Sequence, residues 1–148
     1  MMSKPEAPIQ IALTGARDQK EVAAQIEAMQ DWMVDAGCDP ISAQQLAVVT
    51  DELLTNIVMY GQGSRYRAEL QLVPQGQGFE AQLRLEDDGI AFDPTAAEEP
   101  GLPETLEEQP IGGFGIVFMR KMTDSQSYRR VDGNNILEIR KMCGFSNN

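Results

Sequence analysis

The sequence contains no histidine, and this absence restricts its chemistry more than any other feature. Histidine is the commonest metal ligand and general base near neutral pH, so histidine-based triads and most zinc or iron sites are excluded. Cysteine is scarce as well, because Cys38 and Cys143 lie far apart and show no Cys-x-x-Cys spacing. Neither a disulfide framework nor a zinc site is predicted, and a reducing compartment suits both thiols.

Basic residues are few, with 12 Lys and Arg against 23 Asp and Glu, which gives a formal net charge of −11. Such a charge repels a phosphate backbone and an anionic lipid surface. No segment approaches the roughly 20 apolar residues of a membrane span, and residues 1–8 lack the apolar run of a signal peptide. We therefore expect a cytoplasmic protein that binds neither nucleic acid nor membranes.

The length and the periodicity of the chain predict one domain over residues 1–148. Alternating apolar residues predict strands, and apolar residues at helical spacing predict helices between glycine and proline stops. In chain order these are a strand at 8–14, helices at 18–36 and 40–60, a hairpin of 66–73 and 79–86, a helix at 115–122, and a hairpin of 127–131 and 136–141. This order indicates an α+β two-layer sandwich, a mainly antiparallel sheet with helices on one face.

A long acidic segment interrupts this order at about 94–112. It holds four of the eight prolines, together with five glutamates, Glu98, Glu99, Glu104, Glu107 and Glu108. A loop of this length inside a compact domain is usually functional or disordered. We interpret it as a lid.

The second helix carries Glu52 and Asn56, which are four residues apart and therefore lie on one face about a turn from each other. Carboxylate and carboxamide oxygens are ligands that suit Mg²⁺ and its waters, and a glutamate can also take a proton from an attacking hydroxyl group. The same pair also fits a plain solvated stripe on an amphipathic helix.

Two glycine-containing segments follow the strands. In the segment 87–93, Gly89 permits close backbone approach and an Asp can accept a hydrogen bond from an exocyclic amine, although Asp-Gly is also a common turn. The segment 112–115, Gly-Gly-Phe-Gly, lies at the start of the third helix, where free N–H groups and the helix dipole favour phosphate. A flexible hinge for the acidic loop explains those glycines equally well.

The order of these segments resembles the histidine-kinase-like ATPase superfamily, whose pocket combines an N-box helix, an Asp-x-Gly segment, a mobile lid and a Gly-x-Gly before a helix. Within it, the chain is most similar to the bacterial anti-sigma-factor serine kinases. Residues 51–58, 87–93 and 113–120 look like their E-x-x-x-N, D-x-G-x-x-F-D and G-x-G-L-x-L-I-R motifs, and 133–139 looks like their final glycine-asparagine strand. The resemblance covers nearly the whole chain and implies a Bergerat-type ATP-binding fold.

The resemblance also implies roles for single residues. Asn56 would bind Mg²⁺, Glu52 would be the general base, Asp87 would accept from the adenine amine, and Gly89 would let the ring approach. The remaining motif positions imply further ATP contacts from Phe92, Gly113, Phe114, Gly115 and Ile116.

A serine/threonine protein kinase is the activity that the resemblance implies, with ATP and Mg²⁺ as its cofactors. Its substrate would be an anti-sigma-antagonist protein of the STAS type, and it would sequester a sigma factor or related regulator and form a homodimer. Met59-Tyr60 and Phe114 occupy positions where the family often has basic or histidine residues. These departures motivate the alternative of a non-catalytic nucleotide-binding regulatory module.

Overall fold

The computed structural model describes residues 9–16, 18–96 and 113–146. Its elements follow the predicted order. They are β1 (Ile9–Ala16), α1 (Gln19–Asp35), α2 (Pro40–Tyr60), β2 (Arg65–Gln75), β3 (Gly78–Asp87), α3 (Gly113–Met122), β4 (Ser125–Val131) and β5 (Asn134–Gly144). The predicted lid at about 94–112 lies largely outside the described residues, and its described part, 94–96, forms a turn.

The five strands form one antiparallel sheet in the order β1-β2-β3-β5-β4. Both predicted hairpins are present, and the second joins the first through β5, which pairs with β3. The β3–β5 register places Asn135 opposite Asp87, and the β4–β5 register places Arg130 opposite Asn135. Residues far apart in sequence therefore form one row across the sheet.

The helices cover one face of the sheet, which confirms the predicted α+β sandwich. Side chains along β2 and β3 alternate between buried and more exposed positions, since successive residues of a strand point to opposite faces. The core contains large side chains from both layers, including Met29, Leu54, Leu83, Met119 and Ile139. Helix α2 contacts both α1 and α3 and therefore lies between them in the helical layer.

Local signals account for most element ends. Asp18 caps α1 by accepting a hydrogen bond from Lys20 N at 2.9 Å, and Gly37 follows the helix with a φ of +109°, a conformation that favours glycine at the C′ position. The β4–β5 turn has positive φ at Asp132 and Gly133, which suits a two-residue hairpin. Several boundaries differ from the prediction. Helix α3 begins at Gly113 and not at Gly115, and β4 and β5 each begin two residues earlier than predicted.

The two cysteines meet in the core although they are distant in sequence. Cys38 forms an isolated antiparallel bridge with Phe145, and Asp39 N donates to Gly144 O at 2.9 Å. The thiols are free, and a hydrogen bond to Cys143 together with burial raises the pKa of Cys38. The pairing is a buried packing contact between the α1–α2 turn and the end of β5.

None of the helices that the described ranges contain is long and apolar enough to cross a membrane.

Candidate functional site

The first part of the site is the face where α2 meets α3. Glu52 and Asn56 are both partly buried there. A Cβ placed on Gly115 would lie 3.2 Å from Glu52 Cβ and 3.4 Å from Asn56 Nδ2. The absence of a side chain at Gly115 thus lets the start of α3 rest directly against the predicted Glu-Asn pair.

The environment of Glu52 favours its protonated form. Burial raises the pKa of its carboxyl group above the ordinary value, and the neighbouring Asp51 raises it further. A carboxylate with a raised pKa binds a proton more readily, which is the property required of a general base.

Asp87 ends β3 as a carboxylate that is only 7% exposed. Its Oδ1 accepts from Gly89 N at 2.9 Å and from Asn135 Nδ2 at 3.1 Å. Burial raises the pKa of Asp87, while these two hydrogen bonds and Arg130 oppose the shift. Within the described part of the chain, both hydrogen bonds that the Asp87 carboxylate accepts reach Oδ1, so Oδ2 has capacity to accept from a ligand.

Two loops are joined beside Asp87. Ile90 N donates to Gly61 O at 2.7 Å, and Asp88 Oδ1 accepts from Ser64 N at 2.7 Å and Arg65 N at 3.0 Å. The hydroxyl of Ser64 and these amides lower the pKa of Asp88 to about 2. The segment after β3 is therefore anchored to the α2–β2 connection.

Gly89 is required by this close approach. A Cβ on Gly89 would lie 2.3 Å from the backbone oxygen of Gly61. We expect Gly89→Ala to lower the free energy of unfolding by about 2 kcal/mol, because overpacking against backbone forces a shift of the chain. Thermal unfolding measures this loss.

Gly144→Ala is the control for that substitution, because its Cβ would meet only the carboxylate end of Asp39 at 3.3 Å. Equal stability of Gly89→Ala and wild type would show that the two loops are not held in this contact.

A cavity of about 260 Å³ lies between α2, the end of β3 and β5. Its wall is mostly apolar and has one buried carboxylate. The lining residues are Leu53, Asn56, Ile57, Tyr60, Gly61, Leu85, Asp87, Ile90, Phe92, Pro94, Ile116, Tyr128, Asn135 and Leu137. Small-molecule sites are typically apolar clefts of about 300–1,000 Å³ with few polar groups, and the volume of this cavity lies slightly below that range.

The cavity brings four of the predicted site residues together, Asn56, Asp87, Phe92 and Ile116. Phe92 and Ile90 both line the cavity and are 53% and 51% exposed. The remaining predicted residues are not part of the described lining.

Of these remaining residues, Glu52 lies one helical turn before Asn56, and Gly89 supports the loop that leaves Asp87. Gly113 and Gly115 belong to the first turn of α3, whose N–H groups have no partner within the helix. The side chain of Phe114 lies outside the described residues.

The groups present fit an aminopurine nucleotide. A buried carboxylate can accept from an exocyclic amine, apolar walls suit a ring, and a helix start suits phosphate. The described residues contain no cluster of three or more Cys, Asp or Glu that could hold a metal ion alone. Mg²⁺ at Asn56 would therefore need phosphate oxygens as further ligands, as is usual for this ion.

Sequence reasoning missed a linked group of polar residues at the site, Asn135, Tyr128 and Arg130. Asn135 Oδ1 accepts from the Tyr128 hydroxyl and from Arg130 Nη1, the latter at 3.0 Å. The final glycine-asparagine strand is visible as a sequence motif, but only the β3–β5 register brings Asn135 to the cavity.

Comparisons with known proteins bear on the family and the fold of this chain. A family model described as the histidine kinase-like ATPase domain matches residues 15–141. Serine/threonine-protein kinase BtrW of Bordetella bronchiseptica is 35% identical over 94 residues, which are 64% of this chain and 66% of that protein. The matched part is thus just under two thirds of that relative.

A solved structure supports the fold in addition. The crystal structure of the RsbU and RsbW domains of a Mycobacterium tuberculosis protein matches 96% of this chain with a TM-score of 0.62 at 12% sequence identity. The matched part is 34% of that solved chain. At this identity the similarity establishes the architecture.

Proposed function

Because the chain belongs to the histidine kinase-like ATPase domain family, we propose that it binds ATP in the cavity and phosphorylates a serine or threonine of a protein substrate. The observation that carries the proposal is the buried carboxylate of Asp87 on the cavity wall, with both of its recorded hydrogen bonds on one oxygen. The free capacity of the other oxygen suits the amine of adenine.

Different residues around the cavity would bind different parts of ATP. Asp87 accepts from the base, and Phe92 and Ile116 supply apolar contact at the mouth and wall. Asn56 contributes an oxygen to Mg²⁺. The N–H groups of the first turn of α3, from Gly113 to Gly115, have no partner within the helix and face phosphate charge. ATP supplies the phosphoryl group when bound, and the metal ion neutralises phosphate charge.

Glu52 is proposed as the general base. The hydroxyl group of the substrate loses its proton to the Glu52 carboxylate as its oxygen forms the bond to the transferred phosphorus, and ADP leaves with the bridging oxygen. The raised pKa of Glu52 favours this acceptance.

The proposed protein substrate is an anti-sigma-antagonist of the STAS type, and the proposed binding partner is a sigma factor or related regulator. Support comes from the names of two similar proteins, a serine/threonine-protein kinase and an RsbW domain solved beside an RsbU domain. We further propose a cytoplasmic homodimer of single-domain chains.

Nucleotide binding is tested with Asn56→Ala. When Mg²⁺ is present, an ATP concentration of about 100 times the Kd should raise the free energy of unfolding of wild type by about 2.7 kcal/mol. This corresponds to a rise in Tm of about 8 °C. Asn56→Ala should lose the part of this gain that depends on Mg²⁺, because one oxygen ligand is missing. Differential scanning fluorimetry with and without EDTA measures both.

The control for this experiment is Gln44→Ala, an exposed position on the same helix. Its response to Mg-ATP should equal that of wild type. Absence of any shift for wild type at millimolar ATP would overturn the proposed function.

Phosphoryl transfer is tested separately. Purified protein is incubated with γ-labelled ATP, Mg²⁺ and a STAS-type antagonist, and the label should appear on a serine or threonine of the antagonist. Tight nucleotide binding in calorimetry with neither transfer nor hydrolysis would favour the second candidate, a non-catalytic regulatory module.

One observation motivates that second candidate. No Lys or Arg lines the cavity within the described ranges. Among the described residues, Mg²⁺ and the start of α3 would then be left to neutralise phosphate charge. This weakens stabilisation of the transition state for phosphoryl transfer more than it weakens nucleotide binding.

A further inference from the structure

Asn135 has its carboxamide satisfied on both ends, which fixes its orientation. Its oxygen faces three donors, Phe92 N at 3.3 Å, Arg130 Nη1 at 3.0 Å and the Tyr128 hydroxyl. Its amide nitrogen faces two acceptors, Asp87 Oδ1 at 3.1 Å and Ile90 O at 2.7 Å. Rotation of the group by a half turn would place donors against donors, so only the N–H end can face Asp87.

Arg130 completes the arrangement from the edge strand. Its Nη1 also donates to Gly89 O at 3.1 Å, so one guanidinium nitrogen holds both the carboxamide and the loop after Asp87. Arg130 does not line the cavity, and its influence on a ligand there would pass through Asn135 and Gly89.

We propose that Asn135, oriented by Arg130, is a positioning residue that holds Asp87 as a hydrogen-bond acceptor and so makes the cavity select a 6-aminopurine over a 6-oxopurine. The inference rests on the proposed ATP binding and adds the residue that determines base selectivity. Asn135 occupies Oδ1 of Asp87 with a donor, which stabilises the carboxylate and leaves Oδ2 to accept from the ligand. A 6-oxopurine presents an acceptor there and is rejected.

Several titratable or charged groups face this pair or the same cavity. They are Tyr66 on β2, which lies opposite Asp87, Asp88 after β3, Tyr128 and Arg130 on β4, and Tyr60 on α2, which lines the cavity. Arg130 favours the ionised form of Asp87, whereas Asp88 and burial oppose it. In wild type, ATP affinity should therefore fall as pH is lowered through the raised pKa of Asp87.

Asn135→Asp tests the proposal because it reverses this pH dependence. The new carboxyl group can donate to Asp87 Oδ1 only while the pair shares a proton, since two carboxylates at this distance repel each other. ATP affinity should then fall as pH rises, and at the high end of the range between about pH 5.5 and 8 it should be at least tenfold below wild type. Titration calorimetry with Mg-ATP and with the inosine nucleotide measures affinity and base preference.

The matched control is Asn134→Asp, which introduces the same charge one residue earlier. Asn134 Nδ2 donates to Glu86 Oε1 at 3.2 Å, on the opposite face of the strand. It should keep the wild-type direction of the pH profile and the wild-type preference for ATP over the inosine nucleotide.

A second pair of variants keeps the proposal testable if Asn135→Asp folds poorly. Arg130→Gln should weaken ATP binding about fivefold by releasing the carboxamide, whereas Arg129→Gln, which loses an exposed ion pair with Glu138, should not. The role of Asn135 would be overturned if wild type bound ATP and the two variants of each pair, Asn135→Asp with Asn134→Asp and Arg130→Gln with Arg129→Gln, bound it equally well. Absence of ATP binding by wild type would instead overturn the proposed function, and this inference with it.

Discussion

Glu52→Gln is expected to reduce kcat for phosphoryl transfer by about 10²–10⁴-fold, because the amide keeps the shape of the side chain but cannot take the proton of the substrate hydroxyl. The affinity for Mg-ATP should change by less than about twofold, since Glu52 does not line the cavity in the described ranges. Single-turnover transfer from labelled ATP, together with calorimetry, separates the two quantities.

The pH dependence of this reaction follows from the raised pKa of Glu52. The base must be ionised, so the wild-type rate should rise with pH through that raised value, and the rise should be absent in Glu52→Gln. Stability follows the opposite direction, because the fold favours the protonated form and loses stability as pH rises through the same range. Glu52→Gln should therefore be at least as stable as wild type at neutral pH.

Glu27→Gln on the exposed face of α1 is the control, because it removes the same charge away from the site. It should transfer phosphate at the wild-type rate. Unchanged transfer in Glu52→Gln would exclude Glu52 as the base and leave the ATP site itself intact.

Asp87→Asn is expected to weaken ATP binding about a hundredfold without lowering the stability of the free protein. The carboxamide oxygen can still accept from Gly89 N and Asn135 Nδ2, but its amide nitrogen would then face the adenine amine as donor against donor. The same nitrogen can donate to a 6-oxopurine, so the inosine nucleotide should become the better ligand.

Stability provides an internal check on this variant. Burial raises the pKa of Asp87, so the folded state retains a proton that the unfolded state loses as pH rises above the ordinary Asp value. Ionised Asp87 thus costs stability at neutral pH, and Asp87→Asn removes that cost. Urea unfolding at pH 7 without nucleotide measures the change.

Asp88→Asn, at the next residue, should have effects opposite to those of Asp87→Asn. The pKa of Asp88 is lowered to about 2 by Ser64 and by nearby backbone amides, so its ionised form stabilises the fold above the ordinary Asp value. That stability is lost as pH falls towards about 2. Asp88→Asn should lower stability and retain the preference for adenine, the reverse of Asp87→Asn. If Asp87→Asn bound ATP as wild type does, Asp87 would not be the acceptor.

Much of the fold could be predicted from local patterns. Alternation along 66–73 and 79–86 predicted a hairpin, and the structure extends both strands into the predicted turn as Arg65–Gln75 and Gly78–Asp87. Gly37 and the Asp132-Gly133 turn have the positive φ values that their residue types favour. These features depend on neighbours in sequence, which is why the residues themselves indicate them.

The candidate site was predictable in part for the same reason. Helical spacing alone predicts that Glu52 and Asn56 lie on one face of a helix, and the order of the motifs predicts Asp87 and Gly115 as candidate site residues. The approach of Gly115 to that pair and the contact of Gly89 with Gly61 depend on how separate elements pack. The spacing of residues along the chain does not predict distances between separate elements.

Sequence alone therefore determined the order and approximate positions of the helices and strands, the lack of any histidine, and a set of candidate residues for a nucleotide site. Only the tertiary structure decided that β5 lies beside β3, which places Asn135 against Asp87 and brings Arg130 to the same row. It also decided that Cys38 and Cys143 meet in the core. Periodicity reports which face of an element is buried, whereas strand order and register arise from the packing of the whole sheet against its helices.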